Sequence, residues 1–183
     1  MRAHQLTRLA LLGEGALVVI ALAWAVFRGL PLAAGNIVPA VFLGFLTAVL
    51  LMLVNWYLLR VAPDVAGVRE FRNIYQTLLK PTFRTVKGFD IVVISVAAGI
   101  GEELFFRGVI QPEIGVLFAA LFFGLLHTGG RGTWIYGMWV AIMGAVLGAV
   151  TIVSGGLLAA ILAHTTYDAA ALFYIRSDDG EHV

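Results

Sequence analysis

A chain of 183 residues that is 61% hydrophobic and 13% charged is too apolar for a water-soluble domain, where about half the residues are apolar and about a quarter charged. A net charge of +1 leaves no nucleic-acid footprint, and the absence of cysteine removes disulfides, thiolate metal sites and cysteine nucleophiles together. The composition predicts an all-α, polytopic transmembrane helical bundle, a single domain over residues 1–183 whose solvent is the lipid bilayer.

Residues 1–60 hold two predicted spans. The first runs over about Leu9–Phe27. Arg2, Arg8 and the small-residue run Ala23-Trp24-Ala25 also fit a cleaved signal peptide, but Glu14 inside the run and its continuation through Val26 and Phe27 favour a retained span. The second span is Ile37–Leu59, with Pro39 near its start, where a helix tolerates proline. Residues 61–88 differ. Val65, Val68, Phe71, Tyr75, Leu78 and Leu79 recur at helical spacing among Arg69, Arg72 and Lys80, which predicts an amphipathic helix on the cytoplasmic surface that anchors the protein or guides a substrate tail. The alternative is a solvated basic loop.

Residues 89–176 carry four further spans, Phe89–Ile110, Ile114–Leu126, Trp134–Val153 and Leu157–Ile175, making about six. The fourth is short, as expected of a helix shielded by its neighbours, tilted, or ending inside the protein. Breaks fall at Gly29-Leu30-Pro31, Gln111-Pro112, Gly129-Gly130-Arg131-Gly132 and Ser154-Gly155-Gly156. With six spans, one side receives Arg2, Arg8, Arg60, Arg69, Arg72, Lys80, Arg84, Lys87, Arg131 and Arg176, and the other only Arg28. This bias puts both termini in the cytoplasm. Trp24, Trp56, Tyr57, Trp134, Tyr136 and Tyr174 lie near span ends, as an aromatic belt requires.

Ionisable groups inside spans cost a few kcal/mol each and usually face the bundle interior, where they carry function. The third span contains Gly101-Glu102-Glu103-Leu104-Phe105-Phe106-Arg107-Gly108. Glu103 and Arg107 are four apart with the acid first, the favourable order for a helical pair. Glu102 points about 100° away and is left free to act as a general base. The fourth span ends Phe123-Gly124-Leu125-Leu126-His127, and the sixth holds His164-Thr165-Thr166-Tyr167-Asp168, again with two ionisable groups one turn apart. Each histidine alone reads as a hydrogen-bonded interior residue. Three helices that each carry ionisable groups into lipid point to one shared site.

Glu102-Glu103-x-x-x-Arg107, Phe123-x-x-x-His127 and His164-x-x-x-Asp168, in this order, resemble the three motifs of the CAAX protease and bacteriocin-processing family, glutamate-dependent intramembrane proteases related to the type II CAAX prenyl endopeptidase. The resemblance covers roughly Phe89–Arg176, marking 89–176 as the catalytic core. Aspartate at 168 is within the family pattern, whereas the prenyl endopeptidases are asparagine-bearing there. The resemblance implies that Glu102 and His127 hold and deprotonate a water that attacks a peptide carbonyl. It also implies that His164, oriented by or acting beside Asp168, stabilises the oxyanion, a contribution typically of ~3–4 kcal/mol. Glu103 and Arg107 would fix the third helix and balance charge, with Arg107 available to substrate. No cofactor or metal is implied. The substrate would be a peptide or membrane-anchored protein tail, and the location a prokaryotic inner membrane. Oligomeric state is undetermined.

The remaining polar groups have structural expectations: hydrogen bonding for Glu14, Asn55 and Ser95, and a turn cap for Glu113. Gly99, Gly101, Gly124, Gly144 and Gly148 should permit close helix approach. Among rival readings, Glu102, His127, His164 and Asp168 are acceptable zinc-ligand types, but no His-Glu-x-x-His helix occurs. A rhomboid-like serine protease fails at Ser154, which has Ile152 where a glycine is expected. A proton-coupled transporter lacks the repeats and paired broken helices of that design, and a non-catalytic immunity protein would not need the full motif set.

Overall fold

The computed structural model describes residues 3–129 and 132–178; Arg2, Gly130 and Arg131, used in the charge and turn arguments above, lie outside them. Among the described residues the elements are helical throughout. They are α1 (Ala3–Arg28), α2 (Ile37–Arg60), α3 (Ala66–Ile74, continuing through a π-helical turn Tyr75–Leu79 into Lys80–Phe83), α4 (Gly88–Phe105 with a second π turn Phe106–Ile110), α5 (Gln111–Leu126), α6 (Trp134–Ser154) and α7 (Leu158–Ser177). Five helical stretches are long and apolar enough to cross a bilayer, and this is an integral membrane protein.

The third of those stretches, Gly88–Leu126, contains both the third and the fourth expected spans. The expected break at Gln111-Pro112 is not where the chain turns. Helix continues through it, because the π turn Phe106–Ile110 that leads into Pro112 makes room for the ring. The reversal falls three residues later at Gly115, whose φ of 82° and ψ of 165° are open to glycine alone. Past it, α5 returns along α4: the rings of Phe106 and Phe123 are 4.8 Å apart, whereas seventeen residues of straight helix would separate them by about 25 Å.

Both π turns end two residues before a proline, Pro81 and Pro112. A proline ring collides with the carbonyl four residues back, and one wide turn moves that carbonyl aside without ending the helix. In α3 the same turn alters the apolar register. Phe71, Ile74 and Tyr75 are buried, while Leu78 within the π turn is exposed; Val65, also exposed, precedes the helix. The amphipathic helix is therefore docked on one end of the bundle, with Phe71 edge-on to Trp139 at 6.1 Å.

Side-chain contacts fix the helix directions. Leu6 and Ala10 meet Ile91 and Ile94, and Ala21 and Ala25 meet Val109, so α1 and α4 are parallel. Gly44 abuts Ala159 while Arg60 reaches Tyr174, so α2 and α7 are parallel; Trp139 contacts Tyr167 and Leu147 contacts Ala160, so α6 and α7 are antiparallel. The chain alternates direction from one span to the next. Arg60, Arg69, Arg72, Lys80, Arg84, Lys87 and Arg176 consequently share one end of the bundle and Arg28 the other. The helices approach closely at the expected glycines: a methyl group on Gly124 would run into the Gly137 carbonyl and Ala141, and one on Gly144 would stand 3.0 Å from Phe123.

Candidate active site

The three motifs meet at one place, about 20 Å along α7 from the basic end at Asp178. Glu102 comes from α4, His127 from the end of α5, and His164 and Asp168 from successive turns of α7. Glu102 Oε1 lies 3.7 Å from His127 Nε2, and Glu102 Oε2 lies 3.6 Å from His164 Nε2. Both separations exceed a direct hydrogen bond and suit a group held between the partners. These residues, with Phe123, Tyr136, Trp139, Val140, Met143 and Tyr167, line a cavity of about 100 Å³.

The histidines are held from behind by different means. His127 Nδ1 lies 2.8 Å from the Phe123 carbonyl. A carbonyl only accepts, so Nδ1 carries the hydrogen and, in the neutral ring, Nε2 presents a lone pair to the cavity. His164 Nδ1 lies 2.6 Å from Glu103 Oε1. The orienting partner of His164 is thus Glu103, where the sequence pointed to Asp168. Asp168 Oδ2 sits instead 3.4 Å from Nε2, on the cavity side. Carboxylates face both ring nitrogens of His164, which places both as donors.

Glu103 and Arg107 pair at 2.8 Å with side chains 0% and 2% exposed. Arg107 also donates to the Gly144 carbonyl at 3.1 Å and lies 4.6 Å above the Phe123 ring. Its guanidinium is enclosed by α4, α5 and α6, and Arg107 is not among the residues that line the cavity at Glu102. One carboxylate, Glu103, ties the cation to the histidine, while its neighbour Glu102 is left to the cavity.

Other polar groups fall differently. Glu113 does not cap a turn: it accepts from Arg28 Nε at 2.7 Å and from Trp24, tying α5 to the end of α1. A lone acid in a helix's first turn looks like a cap in sequence, and only the fold brings Arg28 to it. Ser95 Oγ, expected to hydrogen-bond, is buried without a partner among the described residues. Asn55 lines a second, mainly apolar cavity that adjoins the first and shares Tyr136, Trp139, Tyr167 and Asp168 with it. Of these aromatic walls, Tyr136 reads in the sequence as a belt residue, and Trp139 and Tyr167 carry no signal beyond hydrophobic periodicity. Glu14 lies against Gly101, beside the site.

Residues 85–170 match the family described as type II CAAX prenyl endopeptidase Rce1-like. Over these residues the chain is similar to that family. All six candidate residues, Glu102, Glu103, Arg107, His127, His164 and Asp168, fall within the matched segment. Over 93 residues the chain is 32% identical to the uncharacterized protein YpbD of Bacillus subtilis (strain 168), covering 51% of this chain and 48% of that one. The chain thus spans about half the length of the curated relative it matches. No solved structure matches it.

Proposed function

We propose that the chain is an intramembrane endopeptidase that cleaves a peptide or a membrane-anchored protein tail with water activated by Glu102 and His127. The observation that carries this reading is the separation of Glu102 from two imidazole nitrogens, 3.7 Å and 3.6 Å, on one cavity inside the bundle. Glu102 and His127 Nε2 are both acceptors, so one water donates a hydrogen to each and is held with its oxygen lone pair free. The scissile carbonyl enters beside His164. As the water oxygen bonds to the carbonyl carbon, Glu102 takes one of its protons. Charge developing on the carbonyl oxygen is met by His164 Nε2–H. The tetrahedral adduct collapses, the C–N bond breaks, and Glu102 returns its proton to the leaving nitrogen, leaving a carboxylic acid and an amine.

In this mechanism Asp168 keeps Nε2 of His164 a donor, Glu103 holds Nδ1, and Arg107 neutralises Glu103. The bias of basic residues to one end supports a cytoplasmic position for that end and for both termini, in a prokaryotic inner membrane. Two quenched fluorescent peptides in proteoliposomes test the proposal, one with an isoprenoid-modified cysteine near its C-terminus and one unmodified. The wild-type chain is expected to cleave at least one. Glu102→Gln and His127→Ala should each lose about 10²–10⁴-fold in rate while remaining folded. Substantial retained cleavage by either removes that residue from its role.

A further inference from the structure

The first helix brings an acid to the site that the mechanism above does not use, from outside the family-matched segment. Glu14 lies midway along α1, which packs in parallel along α4. Its carboxyl rests on Gly101: a methyl group there would stand 2.6 Å from Glu14 Oε2 and 2.9 Å from the Glu14 carbonyl oxygen. The absence of a side chain at 101 is what lets the acid lie against α4 at the residue next to Glu102. Glu14 Oε2 is buried and accepts no hydrogen bond from the described residues. Glu102 on α4 and His164 and Asp168 on α7 are in electrostatic contact with it. The other charged groups of α4 at this level, Glu103 and Arg107, are turned to each other.

A structural role does not account for this placement. A carboxyl oxygen buried without a hydrogen-bond partner among the described residues lends α1 no stability, and an apolar side chain would pack there without that desolvation cost. The site already holds Glu102, Glu103 and Asp168 against Arg107 and the doubly protonated His164, so a fourth acid changes its charge balance directly. We propose that Glu14 is a positioning residue of the site: from its place against Gly101, it fixes the charge that the base meets as it takes a proton from water. This rests on the reading of Glu102 as the base.

The test is an infrared titration of the full chain in lipid nanodiscs. The protonated-carboxyl band that disappears in Glu102→Gln reports Glu102, and its midpoint is followed in wild type and in Glu14→Gln, which keeps the side chain's size. Without the neighbouring negative charge Glu102 should release its proton more easily, moving the midpoint down by about one pH unit. Gly101→Ala, which displaces the Glu14 carboxyl without altering its charge, should move it the same way. In the peptide assay the acid limb of kcat/KM should follow, with KM unchanged. An unmoved midpoint, or a rate loss equal at every pH, overturns the proposal. If the midpoint moves but no peptide is cleaved, the coupling stands and the protease reading fails. If peptide is cleaved and the midpoint stays, this inference alone fails.

Discussion

Removing Arg107 should destabilise the protein far more than its place among apolar residues suggests. Its guanidinium makes a 2.8 Å bond to Glu103, a 3.1 Å bond to the Gly144 carbonyl and a face contact with Phe123 at 4.6 Å. Arg107→Met keeps much of the volume but leaves the Glu103 carboxylate, 0% exposed, with His164 as its one remaining partner among the described residues. Breaking a buried pair on one side costs about 3–5 kcal/mol, chiefly because the other charge stays buried without compensation. Glu103→Gln should cost a similar amount by stranding the cation. The double variant removes both charges together, and its cost should fall short of the sum of the singles by about 2–3 kcal/mol. Equilibrium unfolding of the four proteins in mixed micelles closes the cycle. Single-variant costs below about 1 kcal/mol, or costs that simply add, would refute the coupling of Glu103 to Arg107 on which the site's geometry is argued.

Gly124→Val should force α5 away from α6, since its side chain meets the Gly137 carbonyl and Ala141; an overpacking cost of about 1–3 kcal/mol in unfolding, with peptide cleavage reduced through displacement of His127, is the expected result. At the basic end, Asp178 accepts from Arg60 at 2.9 Å and from Lys80 at 3.0 Å, tying α3 and α2 to α7. Asp178→Ala should raise trypsin cleavage within 66–87 by about tenfold, and unchanged digestion would show that the cluster does not hold α3. The Tyr75 hydroxyl is pushed above its usual range first by burial and then by its 2.9 Å bond to Asp178. The stability it lends is therefore complete below about pH 10 and is lost as pH rises through the folded-state value. In alkaline difference absorbance the unfolded Tyr75→Phe chain should lose one tyrosine's ionisation near pH 10 relative to unfolded wild type, whereas the two folded proteins should give the same change there.

Much of this arrangement is legible in the sequence because it is local or cumulative. The i,i+4 spacing of Glu103 and Arg107 fixes that pair before any fold is known, and a surplus of apolar residues over spans of about twenty can only be transmembrane helix. Ionisable residues in three such spans have an energetic reason to converge. Other features depend on packing that no local pattern records. Pro112 reads as a break, yet a π turn carries the helix through it, and the reversal belongs to Gly115, an ordinary glycine in sequence. His164 and Asp168 look paired because they are one turn apart, whereas Glu103 is sixty-one residues away and takes the nearer nitrogen. Glu14 looks like an isolated cost within an apolar run until Gly101 brings it beside Glu102. Glu113 and Arg28, eighty-five residues apart, meet only because α1 and α4 are parallel.

The most direct measurement uses the chain's lack of cysteine. Glu102→Cys combined with His127→Cys, and Glu102→Cys combined with His164→Cys, are treated in nanodiscs with a short bis-thiosulfonate reagent and weighed intact by mass spectrometry. Convergence of α4, α5 and α7 on one cavity predicts a single bridging adduct in both pairs. Two separate adducts per chain, as a control pair of Glu102→Cys with Val38→Cys should give, would contradict the shared site.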